Sequence, residues 1–120
     1  MIVEAALAAA ALVLGGHTDE QRPLRIDVAN GRVTRVKGSV LDYECEQFGP
    51  VGPVRFYVRV RARVDRHGRF SFVTGDRVER IGVAGRIRGT TATGRVRMAG
   101  TIATGQRCES PVVRFHVRAR

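Results

Sequence analysis

The stretch Val54-Arg55-Phe56-Tyr57-Val58-Arg59-Val60-Arg61-Ala62-Arg63-Val64 alternates between an apolar set and a polar, mostly basic one. A repeat of two residues is the signature of a β-strand with one buried face. Phe56, Val58, Val60, Ala62 and Val64 therefore require a core, and Arg55, Arg59, Arg61 and Arg63 form an outward ladder of guanidinium groups.

The same rhythm runs outward in both directions. Leu24, Ile26 and Val28 alternate with Arg25 and Asp27, and Asn30-Gly31 then supplies the pair that a tight type I′ hairpin needs. The return strand is expected from Arg32 through Val40 to Cys45, with an irregularity near Gly38. Gln47 to Pro53 reads as a loop, since its prolines remove ladder donors and its glycines admit positive φ. Downstream, Phe70 and Phe72 flank Ser71. Ile81, Val83 and Ile87 oppose Ala84, Arg86 and Arg88; Val96 and Met98 oppose Arg95 and Arg97; Val113, Phe115 and Val117 oppose Arg114, His116 and Arg118.

Turn signals recur at about 8- to 14-residue intervals, the spacing of an antiparallel sandwich or barrel rather than of βαβ units. The expected fold is all-β: one antiparallel meander of seven or eight strands over residues 23–120, forming a small barrel or sandwich. Gly85, Gly89, Gly94 and Gly100 share the inward parity and are expected where the sheet coils tightly enough to close.

Residues 1–16 have a different character. Ala5 to Leu14 is an Ala-rich apolar run. A membrane span needs roughly 20 apolar residues, so the run is too short to cross a bilayer but suits the hydrophobic region of a secretory signal. Glu4 departs from the basic flank of such signals, and a short helix packed on the domain is the alternative. A signal-like helix over 1–16, cleavage near Gly15 or Gly16, a linker over 17–22 and a secreted or extracytoplasmic location are the expectations.

Cys45 and Cys108 are the only cysteines. In an exported chain a pair so distant in sequence reads as a disulfide, and in the cytosol as two free thiols. Without nearby histidines or a Cys-x-x-Cys they do not form a zinc site.

The chain resembles small exported β-sheet domains of unknown function from high-GC bacteria. The likeness rests on Gly85-Arg86-Ile87-Arg88-Gly89 followed by Ala92-Thr93-Gly94-Arg95-Val96, on Asp65 through Phe72, and on Cys108-Glu109-Ser110 leading into Val113-Arg114-Phe115. These are turns and core positions, so the resemblance implies a fold and an export route and carries over no activity.

Net charge is +10, and of 21 basic residues only Lys37 is lysine. Such a balance attracts polyanions, although codon bias in a GC-rich genome also produces arginine. The candidate anion-binding residues are Arg55, Arg59, Arg61, Arg63, Arg114 and Arg118. Asp42, Glu44 and Glu46 would lie about 7 Å apart on one face of a strand, where they could serve calcium or acid/base chemistry or, more simply, pair with arginines of 55–63 or 114–118. His17, His67 and His116 have no nucleophile or carboxylate beside them in the sequence, so no catalytic residue is assigned, nor any metal or cofactor. Only Tyr57 interleaves with the arginines, too few aromatics for nucleic-acid stacking. The expected function is an exported non-catalytic binding module whose cationic face meets an anionic envelope polymer, a lipid headgroup or a protein. A barrel holding an apolar ligand in the room left by the four glycines is the alternative, and a hydrolytic enzyme stands behind both.

Overall fold

The structure, a computed structural model, describes residues 11–102 and 104–120, which form antiparallel β-structure with no helix. The strands are β1 (Ala11–Thr18), β2 (Pro23–Ala29), β3 (Arg32–Val40), β4 (Glu44–Cys45), β5 (Gly49–Pro50), β6 (Val54–Arg63), β7 (Arg69–Gly75), β8 (Glu79–Arg88), β9 (Thr91–Thr101), β10 (Arg107–Glu109) and β11 (Val113–Ala119). Eleven strands stand where seven or eight were expected. Three of them, β4, β5 and β10, are only two or three residues long and carry no alternation to read.

Strand β1 overturns the expected N-terminal helix. Residues 11–16, assigned above to a signal-like helix, pair along one edge with β2 and along the other with β11. Leu14 is completely buried, so the apolar run supplies core residues to a sheet; the remainder of the 1–16 segment, residues 1–10, lies outside the described residues. Cleavage at Gly15 or Gly16 would cut through this inner strand. Nor are residues 17–22 a linker: His17 and Thr18 end β1, and the chain reverses by a turn in which Thr18 N–H donates to the Arg22 carbonyl at 2.8 Å.

Each long strand pairs antiparallel with a neighbour, and β1 joins β11, bringing the two halves of the chain together. Strand β6 pairs with β3 and β7 pairs with β8, but no ladder joins β6 to β7, so the sheet is not closed into a barrel. The Asn30-Gly31 hairpin forms as expected, with φ of 53° and 72° at the two turn residues. The irregularity in its return strand falls at Val33/Arg35 rather than near Gly38, and β3 ends at Val40.

One core gathers the inward residues of all the long strands, with Leu14, Ile26, Val36, Met98 and Val117 among those at 0–1% exposure. Gly85 and Gly94 face each other within it. A Cβ at Gly85 would meet the Phe70 ring, and one at Gly94 would meet the Ala84 carbonyl and the Phe115 ring. These glycines thus admit close backbone approach and aromatic cover, and the space beside them is occupied by phenyl rings. Gly89, at φ 60°, belongs to the β8–β9 turn and not to the inward set.

The disulfide is present. Cys45 of β4 and Cys108 of β10 are register partners joined sulfur to sulfur, closing a separation of 63 residues.

Candidate anion-binding groove

Because alternation continues across the ladders, outward residues line up in rows, and the rows bring like charges together. Arg35 is the register partner of Arg59, Arg25 of Lys37, and Arg32 of Arg63. On the other half of the sheet, Arg69 is opposite Arg86 and Arg95 is opposite Arg114. Directly opposed like charges disfavour a sheet by a fraction of a kcal/mol to about 1 kcal/mol, so five such pairs form a standing positive field rather than a neutral mosaic.

Among the described residues, three ion pairs offset part of this field. Asp27 takes Arg25 at 2.8 Å and lies 3.8 Å from Arg35, and Glu109 pairs with Arg97. The Arg35 guanidinium also lies 5.6 Å from the centre of the Tyr57 ring. Among the described residues, Arg63, Arg69, Arg86, Arg95 and Arg114 make no ion pair.

Those five arginines, one from each of β6, β7, β8, β9 and β11, converge on an open groove of about 840 Å³ beside the β6–β7 seam. Its floor is made by Ser71 and Ala84, register partners with small side chains, so the longer arginines stand around a depression. Arg86 is steadied by its Nε–H, which donates to the His67 carbonyl at 3.1 Å.

Asp65 stands at the rim of the groove, in a turn closed by the Gly68 N–H, which donates to the Asp65 carbonyl at 2.9 Å. Its Oδ1 accepts the N–H of His67 at 2.8 Å and of Arg69 at 2.9 Å. The Arg69 N–H is the larger influence and the His67 N–H adds to it, holding this carboxyl below the usual carboxylate range. Asp65 is accordingly charged at neutral pH.

The anion-binding candidates expected from sequence fall in three places. Arg63 and Arg114 line the groove. Arg55, Arg59 and Arg61 are exposed on β6, where the register partner of Arg59 is Arg35. Arg118 is opposite Gly15 and Thr91, in another row. Arg69, Arg86 and Arg95 of the groove, and Arg25 and Arg35 on the other half, are not among those candidates, although the alternations Arg69-Phe70-Ser71-Phe72 and Arg95-Val96-Arg97-Met98 place their arginines outward.

Asp42, Glu44 and Glu46 do share an exposed side, but the basic residues lining the cleft with them are Arg77, Arg80, Arg97 and Arg107, not the arginines of 55–63 or 114–118. Glu46 accepts the Arg107 N–H at 2.7 Å, which ties β4 to β10 beside the disulfide. No histidine lines that cleft: His116 is opposite His17 across β1 and β11, and His67 sits in its turn. Among the described residues no three His, Cys, Asp or Glu side chains are placed to hold a metal ion. No helix among them is long and apolar enough to cross a membrane.

No known protein family, no curated protein and no solved structure matches this chain.

Proposed function

We propose that the protein is an exported, non-catalytic binding module whose cationic sheet face holds an acidic envelope polymer. One observation carries this reading: five pairs of like-charged basic residues face each other across the ladders, from Arg35–Arg59 on one half of the sheet to Arg95–Arg114 on the other. A surface that only needed solubility would gain from interleaved acids, which stabilise where like charges repel. A bound polyanion removes that repulsion and releases its own counterions, so affinity falls steeply with salt. The disulfide supports an oxidising compartment and with it the export half of the proposal.

Retention on immobilised heparin tests the reading. The wild-type chain is expected to bind at low salt and elute on a salt gradient, and Arg59→Glu with Arg61→Glu to elute markedly earlier. Passage through the column at low salt, or elution unchanged in the double variant, would count against a polyanion partner on this face.

A further inference from the structure

We infer that the groove floored by Ser71 and Ala84 is a phosphate-monoester site, with Arg95 and Arg114 holding the dianion and Asp65 taking a hydroxyl of the group that carries it. The inference rests on the polyanion reading and narrows it to a discrete ligand at one place.

Arg95 and Arg114 are register partners that both line the groove, and among the described residues neither is in an ion pair. A carboxylate has one charge and two oxygens, which a single guanidinium fork satisfies; two adjacent forks match a tetrahedral group with about two charges and three terminal oxygens. A phosphate monoester carries about −1.5 to −2 at neutral pH, whereas a phosphodiester or sulfate ester carries about −1. Paired, uncompensated guanidinium groups therefore favour the monoester.

The remaining groups define the other end. Asp65 faces the groove beside Arg69, and its Oδ1 is engaged by the His67 and Arg69 N–H groups while Oδ2 accepts no hydrogen bond among the described residues. A charged carboxylate repels a second phosphate but accepts well from a hydroxyl. The groove's second guanidinium pair, Arg69 and Arg86, is partly committed, with Asp65 nearby and Arg86 donating to the His67 carbonyl. Ser71 and Thr93 add two hydroxyls to the lining. An anion at one end and hydroxyl-compatible groups at the other fit a phosphorylated sugar or polyol, and about 840 Å³ is the size of an ordinary small-ligand site.

The probes are glucose 6-phosphate and glucuronate, which differ at one end of similar sugars, titrated into the oxidised chain and followed by ¹H–¹⁵N NMR. Glucose 6-phosphate is expected to shift backbone signals at residues 69–71, 84–86, 93–95 and 113–115, with Kd about tenfold lower than for glucuronate. Arg95→Gln with Arg114→Gln is expected to raise that Kd about tenfold with an unchanged melting temperature. Arg107→Gln should leave it within about twofold, because that residue lines the acidic cleft beside the disulfide and not the groove. Equal affinity for the two sugars, shifts centred on Arg59 and Arg61, or indifference to the glutamine variants would each overturn the inference. Heparin retention separates the levels: retention without a phosphate preference removes the groove site alone, and loss of both removes the polyanion reading with it.

Discussion

Leu14 faces Ile26 across the β1–β2 ladder, and both side chains are fully buried at 0% exposure. The end of the apolar run that reads as a secretion signal thus reaches the core through Leu14, with Leu12 packed against it. Leu14→Ala is expected to lower unfolding free energy by about 2–5 kcal/mol, the range for an emptied aliphatic core position. A chain beginning at His17 loses most of β1 and with it the link between β2 and β11. Urea denaturation followed by circular dichroism reads both; a cooperative transition in the truncated chain at the wild-type midpoint would show that β1 is dispensable.

The Cys45–Cys108 bond fastens β4 to β10, which in turn pairs with the far end of β9. Closing 63 residues stabilises by about 4 kcal/mol in the chain-entropy treatment. Cys45→Ser with Cys108→Ser should cost about that much in a urea titration, and dithiothreitol should reproduce the loss in the wild-type chain but not in the variant.

Gly94 is tightly enclosed in the sheet interior, with the Ala84 carbonyl and the Phe115 ring where a Cβ would go. Since the obstacle includes backbone, it cannot move aside by a rotamer change. Gly94→Ala is expected to destabilise by about 1–3 kcal/mol through overpacking. A thermal melt at or above the wild-type temperature would mean that β8 and β9 can separate without loss.

Tyr43 is 7% exposed, and burial, with Glu79 adding to it, raises its phenol above the ordinary value. With Tyr57→Phe leaving one tyrosine, absorbance at alkaline pH should titrate with a midpoint above about 10. A folded-state value above the unfolded one favours the neutral phenol. Its contribution to stability is complete below the unfolded value and is lost as pH climbs through the folded one, so unfolding midpoints should fall only above about pH 10. An ordinary midpoint would place the ring in water.

Much of this architecture was legible in single segments. The period of two in Val54–Val64 and in Leu24–Val28 marks strands because each residue's face is fixed by its neighbours along the chain, and Asn30-Gly31 marks its turn because few residue pairs tolerate positive φ at both positions. The outward set of arginines followed from the same parity. Ala11 to Leu14 differ from the sequence expectation because an apolar run has no period to separate a buried strand from a helical leader. Both flanks of β1 are covered, by β2 and β11, and one of those partners lies about a hundred residues away in sequence.

By itself, then, the sequence determined which side chains face in, where the chain turns, that only one disulfide could form, and the sign of the surface. Tertiary structure alone decided that β1 completes the sheet, that no ladder joins β6 to β7, and that Arg95 stands beside Arg114 while Arg59 stands beside Arg35. The reason is physical: alternation is a property of one strand, whereas the choice of neighbour depends on burying the apolar faces of all strands together, and no segment carries that information alone.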